Sequence, residues 1–182
     1  MSAPIPAWVD GKLTPVDKIE AHERGLRHKA VSVFVIRGRD ILMQRRAMGK
    51  YHTPGLWANT CCTHPGWSES TCACAVRRLR EELGITGLYP QFRHHLEYRA
   101  DVGGGLTEHE LVDVFALETR TRPALAPNPG EVMETRWMSL EALRAEIARH
   151  PERFTPWLKI YIADHAGDIL DTGATETQPP LR

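Results

Sequence analysis

Apolar side chains, interrupted only by Ser32, run from Ala30 to Ile36 and resume from Ile41 to Met43, with Arg37 to Asp40 between them. This pattern predicts a buried-type strand, a tight turn and a return strand ending near Arg45. A smaller hairpin is expected earlier, turning at Asp10-Gly11. After Ser68 or Ser70, either of which can cap a helix, Cys72, Val76, Leu79 and Leu83 recur at helical spacing and Gly84 follows. Further strands are predicted near residues 92–99, 109–118 and 132–138, with Gly103 to Gly105 as a flexible connection between the first two, and helices at about 140–149 and 155–165. Strands and helices alternate irregularly and without repeats. That favours an α/β (α+β) sandwich of mixed β-sheets flanked by helices over a doubly wound parallel sheet. One domain is expected over residues 1–166, with 167–182 as a polar, frayed tail.

Composition narrows the function classes. At 182 residues the chain can bury about 70% of its unfolded surface in one core without disulfides. Basic and acidic side chains both number 23, so no overall field invites nucleic acid or an anionic membrane, and any anion site must be local. The N-terminal residues lack a basic, apolar leader pattern, and no segment approaches the roughly 20 apolar residues of a membrane span. A cytoplasmic monomer acting on a small molecule is the expectation. Cysteines 61, 62, 72 and 74 are crowded too tightly for ordinary disulfides and form no C-x-x-C pair, so reduced thiols are expected rather than a structural zinc knot.

The stretch Asn59 to Pro65 sets Cys62 and His64 two residues apart, and Glu108 and Glu110 fall on one face of a predicted strand with His109 on the other. A thiol, an imidazole and two paired carboxylates suggest proton chemistry. Downstream of that thiol lie Glu69, Arg77, Leu79, Glu81, Glu82, Gly84 and Ile85. In register, they resemble the Nudix signature G-x5-E-x7-R-E-U-x-E-E-x-G-U. Two positions depart: Thr63 stands for the opening glycine and Arg78 for a glutamate. Such a helix holds Mg²⁺ through neighbouring carboxylates while substrate phosphates complete the shell. Exchanging one carboxylate for arginine weakens a multi-metal hydrolase site and adds a direct diphosphate donor.

A second resemblance spans most of the chain from Lys18 to Trp157. It is carried by His22 and His28, then Arg45-Arg46-Ala47, then Pro54 to Trp57 running into Cys62, His64 and Pro65. Glu97-Tyr98, Glu108-His109-Glu110 and Phe154 to Trp157 complete it. These residues are similar in order and spacing to the type I isopentenyl-diphosphate delta-isomerases. The resemblance implies that His22, His28, His64, Glu108 and Glu110 bind one divalent metal, and ligand type leaves Mn²⁺, Mg²⁺ and Zn²⁺ open. It implies diphosphate binding by Lys18, Arg46, Lys50 and Arg78, with a second Mg²⁺ between Glu82 and the substrate. Cys62 and Glu110, assisted by Tyr98, would exchange protons with the alkene, and Trp157, with Trp57 as a further candidate, would wall off a carbocation-like intermediate. The N-terminal segment with Lys18 and His22 is a candidate lid. His52, His94, His95, His109, His150 and His165 are read as core or surface residues. The alternatives are a Nudix diphosphate hydrolase and a non-catalytic diphosphate- or metal-binding module.

Overall fold

A strand that is apolar on both faces needs cover on both faces, and the architecture follows from meeting that need around the run at Ala30. The computed structural model describes residues 4–171. In chain order the elements are β1 (Ile5–Val9), β2 (Lys12–Val16), α1 (Lys18–Glu23), β3 (Arg27–Arg37), β4 (Asp40–Arg46), β5 (Trp57–Ala58) and β6 (Cys61–Thr63). There follow α2 (Thr71–Leu83), β7 (Gln91–Gly103), β8 (Leu106–Glu118), β9 (Val132–Ser139), α3 (Leu140–Arg149), α4 (Pro156–Asp164) and α5 (Ala166–Leu170). Among the described residues the nine strands join in one mixed sheet.

β3 is its hub. It lies parallel to β8 from Arg27 beside His109 to Ile36 beside Glu118. It also pairs antiparallel with β1, β4 and β6. Alternation sends Val31, Val33 and Val35 to one face, where Leu79 and Leu83 of α2 and Phe115 of β8 cover them. Ala30, Phe34 and Ile36 face the other way, into a core with Val112, Val114, Trp157, Leu158 and Tyr161. The sheet is therefore sandwiched between α2 and the C-terminal helices. No helix among the described residues is long and apolar enough to cross a membrane.

The predicted hairpins and strands form, with longer ladders in β7 and β8 than expected. The Asp10-Gly11 turn uses positive φ at both residues, 49° and 75°, as a tight hairpin of this kind requires. Three expectations are corrected. Cys72 is exposed and Val76 only partly buried, so the buried face of α2 is rotated onto Cys74, Ala75, Leu79, Glu82 and Leu83. Gly103 to Gly105 is a hairpin turn, with Gly103 paired to Leu106, rather than a loose connection. Residues Ala166–Leu170 form α5 with Ile169 buried, past the point where fraying was expected; the rest of that tail, 172–182, lies outside the described residues. The short α1, β5 and β6 were not anticipated. In α1, Asp17 caps the helix at the Ile19 amide, and Ala21 and His22 are fully buried, so the candidate lid is packed down on the sheet.

Helix α2 stops at Gly84, in the left-handed region at φ 69°. The loop beyond returns amides to the open helix end, Ala126 N–H to Leu83 O at 2.8 Å and Asn128 N–H to Glu82 O at 2.9 Å. A Cβ at Gly84 would meet the Ala126 Cβ at 2.7 Å and its backbone at 3.1 Å. Gly84→Ala is therefore expected to lose about 2 kcal/mol of stability from combined backbone strain and overpacking, read by urea denaturation. A wild-type midpoint would show that the loop gives way freely.

Candidate active site

Strand register assembles the first half of the site. β3 and β8 place His28 beside Glu110, and β7 sets Tyr98 opposite the same glutamate and Ala100 opposite Glu108. Because side chains two apart share a face, Glu108 and Glu110 both point inward, and His109 points outward to Glu97 at 3.0 Å. α1 brings in His22, and the segment after β6 brings in His64. The ligand atoms of His22, His28, His64 and Glu110 all lie within 4.8 Å of one another, and those of His22, His52 and Glu108 form an adjoining group.

The imidazoles are oriented from behind. A backbone carbonyl only accepts, so His22 Nδ1 must donate to Lys18 O and His28 Nδ1 to Leu26 O, each at 2.7 Å, turning each Nε2 toward the centre. His28 Nε2 is buried without a hydrogen-bond partner, 3.6 Å from Glu110 Oε1. Burial and then the neighbouring His64 and His28 push His22 down to about 3, so its imidazole is neutral at physiological pH. Imidazoles beside carboxylates, one with a buried nitrogen that has no hydrogen-bond partner, fit a divalent cation.

Tyr98 joins the carboxylates. Its hydroxyl lies 2.8 Å from Glu108 Oε2 and 2.7 Å from Glu110 Oε2, and a single proton can be donated to only one of them at a time. Burial, then the adjacent Glu110, holds Glu108 well above the usual carboxylate range. Burial would also raise Glu110, but His28 and His64 outweigh it, and its carboxyl is held well below that range. Cys62 is partly exposed on the wall of the same cavity of about 420 Å³. Burial, followed by Glu110 and Glu108, raises its thiol. Trp157 closes another wall, its indole N–H donating to Asn59 Oδ1 at 3.2 Å. Trp57 does not line this cavity, and the Arg136 guanidinium lies over its ring at 4.2 Å, so the candidate wall at Trp57 is corrected to a core position.

The other end of the cavity is cationic and draws on α1 (Lys18), the end of β4 (Arg46), the loop after it (Lys50) and α2 (Arg78). Lys18, Arg46, Lys50 and Arg78 all line it. Arg46 is buried, donating to the carbonyls of Thr53 at 3.2 Å and His52 at 3.1 Å, with its guanidinium over the Trp157 ring. Arg78 reaches Glu82 at 2.7 Å, Glu81 at 2.9 Å and Glu131 at 3.2 Å. Glu82, which is buried, also accepts from Gln44 at 2.9 Å and from the Cys61 thiol at 3.4 Å. Burial, then Lys50, lowers Lys18, as expected for ammonium groups crowded into one pocket.

Sequence reasoning missed three lining residues. Glu131 is shared by Lys50 and Arg78, and its only signal was a carboxylate following a Pro-Gly turn. Tyr51 lies 3.3 Å from His22 Nε2, and its ring sits under the Lys18 ammonium. His52 is buried as expected, yet its Nε2 lies 3.4 Å from Glu108, against the cluster rather than away from it. Other histidines are remote: His95 pairs with Asp113, and His94, His165 and the exposed Asp168 form a loose surface group.

Comparison with known proteins agrees with this geometry. The NUDIX domain model matches residues 26–158. A Ruegeria pomeroyi protein named isopentenyl-diphosphate Delta-isomerase is 68% identical over 166 residues, covering 91% of this chain and 92% of its own length. A protein of the same name from Dinoroseobacter shibae is 65% identical over 171 residues, covering 94% and 97%. Among solved structures, a Deinococcus radiodurans protein superposes with TM-score 0.69 at 16% identity over 88% of this chain and 97% of its own. A MutT NUDIX hydrolase from Burkholderia pseudomallei does so with TM-score 0.57 at 20% identity over 75% and 95%. These structures share the fold.

Glu69 anchors the approach to α2, accepting from Arg77 Nε and Nη2 at 2.7 Å and from the Gly66 amide at 2.8 Å. Donation by Arg77 chiefly, and by Gly66, holds its carboxyl below the ordinary 4.5. A lowered folded-state value means that ionisation stabilises above the unfolded value and that this contribution is lost as pH falls through the folded one. Glu69→Gln should therefore melt below wild type at pH 7, with the gap narrowing under acid conditions. A gap that stays constant down to acid pH would show that charge plays no part.

Proposed function

The chain belongs to the NUDIX domain family and, within it, to the isopentenyl-diphosphate Delta-isomerases, and on that premise we propose how its residues carry out the isomerisation. The reaction adds a proton at one end of an unactivated alkene and removes another two carbons away, through an intermediate with tertiary carbocation character. The observation that carries the proposal is Tyr98, whose hydroxyl reaches Glu110 at 2.7 Å on the cavity that the Cys62 thiol also lines.

Glu110, hydrogen-bonded by Tyr98, delivers the proton to the terminal carbon. Cys62 as thiolate removes a proton from the other carbon, and the two groups flank the alkene. After turnover the thiol holds a proton and Glu110 lacks one, which is also the resting pattern favoured by the raised thiol and the lowered carboxyl, so each cycle requires the thiol proton to pass to Glu110 before the alkene is protonated. A divalent cation held by His22, His28, His64, Glu108 and Glu110, either Mn²⁺, Mg²⁺ or Zn²⁺, would offset the charge of the two carboxylates, and a Mg²⁺ at Glu82 would do the same for the diphosphate. Lys18, Arg46, Lys50 and Arg78 hold the diphosphate by charge-assisted hydrogen bonds. For Arg78 this means that substrate oxygens compete with Glu81, Glu82 and Glu131 for its N–H groups. Trp157 excludes water, which would trap the cation as an alcohol, and offers an indole face that stabilises positive charge without attacking it. We read the working form as a one-domain monomer in the cytoplasm that binds neither nucleic acid nor membrane. The balanced charge of the chain supports the exclusion of nucleic acid and anionic membrane.

Isopentenyl diphosphate, Mg²⁺ and deuterated water, followed by proton NMR, should give dimethylallyl diphosphate with solvent deuterium in product and recovered substrate. Cys62→Ala and Glu110→Gln should each reduce turnover by at least about 10³-fold with the fold intact, the scale for losing a group that transfers the proton. Near-normal turnover in either variant would remove that residue from the mechanism. Release of phosphate without isomerisation would favour the hydrolase reading. Metal-loaded, folded protein that does neither would favour the binding module.

A further inference from the structure

Behind the Cys62 thiol runs a short chain of buried hydroxyls. Ser32 is the only polar residue between Ala30 and Ile36, and it is completely buried. Antiparallel pairing sets it directly opposite Cys62, so the two side chains project from the same face of the sheet. Ser32 Oγ lies 3.2 Å from Cys62 Sγ and 2.9 Å from the hydroxyl of Tyr161. Tyr161 is also fully buried and stands one turn after Trp157 on α4. One helix thus supplies both a cavity wall and the end of the hydroxyl chain.

A hydroxyl in such a strand is costly to bury unless it is bonded, and alanine would meet the packing need without that cost. Oxygen is useful here for what it does to the sulfur. We propose that Ser32 and Tyr161 are positioning residues for Cys62, fixing its Sγ on the cavity wall through the series Tyr161 to Ser32 to sulfur. With the thiolate, the Tyr161 hydroxyl donates to Ser32 Oγ and the Ser32 hydroxyl donates to Sγ. Once the sulfur has taken a proton, S–H can donate to Ser32 Oγ as the Ser32 hydroxyl turns toward the Tyr161 oxygen. The hydroxyls rotate and no proton leaves the chain. This inference rests on the proposed role of Cys62 and extends it by two residues that touch no substrate.

Because Tyr161 acts only through Ser32, the two should behave as links in series. In the metal-loaded, full-length enzyme, Tyr161→Phe and Ser32→Ala should each lower kcat roughly tenfold, the scale of one hydrogen bond, with KM held within about twofold. The double variant should be no slower than Ser32→Ala alone, and Ser32→Thr, which keeps the hydroxyl, should recover part of the loss. Wild-type kcat in both single variants would overturn the inference. So would multiplicative losses in the double variant, or losses that merely follow the melting temperature. If Ser32→Ala does not fold, Tyr161→Phe decides alone, since it removes a single oxygen. Cys62→Ala run alongside separates the two levels: activity there overturns the role of the thiol itself, whereas an inactive Cys62→Ala with unaffected hydroxyl variants overturns only the relay.

Discussion

Two carboxylates, Glu108 and Glu110, are only 2% and 1% exposed and share one tyrosine hydroxyl. Burying one ionised carboxylate costs several kcal/mol, and a second beside it adds repulsion. The surroundings answer that cost. Imidazoles of His28 and His64 lie against Glu110, His52 lies against Glu108, and Tyr98 bridges the pair. The Nε2 of His28, buried without a hydrogen-bond partner among these groups, leaves the arrangement able to take a cation.

That cluster depends on register. His28, Glu110 and Tyr98 come from three adjacent strands and meet because β3 and β8 run parallel while β7 and β8 run antiparallel. A slip of one residue in the β3–β8 ladder would part His28 from Glu110, and one in the β7–β8 ladder would turn Tyr98 to the opposite face. The long ladders of β7 and β8 and the apolar faces of β3, covered by α2 on one side and α4 on the other, oppose such a slip. Stability of the sheet and geometry of the site are therefore one constraint.

Much of this was legible in the chain. The run at Ala30, the Asp10-Gly11 turn and the capped helix ending at Gly84 are local signals, and local chemistry decides them. The inward pairing of Glu108 and Glu110 follows from alternation alone. What could not be read is long-range. Parallel pairing of β3 with β8 leaves no mark in either strand, and β5 and β6, of two and three residues, are too short to show a period. The face of α2 was misjudged because Cys72 counts as apolar by type, whereas the packed surface is set by the sheet beneath. Glu131 and His52 enter the cavity on loops, where no periodicity points to them. The grouping of His22, His28, His64 and Glu110 came from family resemblance, since spacing in sequence does not bring α1, β3, β8 and the loop after β6 together.

The adjacent cysteines show how one short strand serves both ends of the cavity. Alternation along β6 sends Cys61 to the α2 side, where its thiol meets Glu82, and Cys62 to the opposite side, where its sulfur meets Ser32. Glu82, buried behind the cationic end, accepts from Arg78, which lines it, and Cys62 lines the cavity together with Glu108 and Glu110. The pairing of β6 with β3 therefore sets the distance between the cationic end of the cavity and its carboxylate end. In the proposed mechanism, a substrate whose alkene lies a fixed number of bonds from its diphosphate would be measured against that strand. The energy gained at the charged end is thereby spent on alignment at the uncharged end, where the alkene itself offers almost nothing to hold.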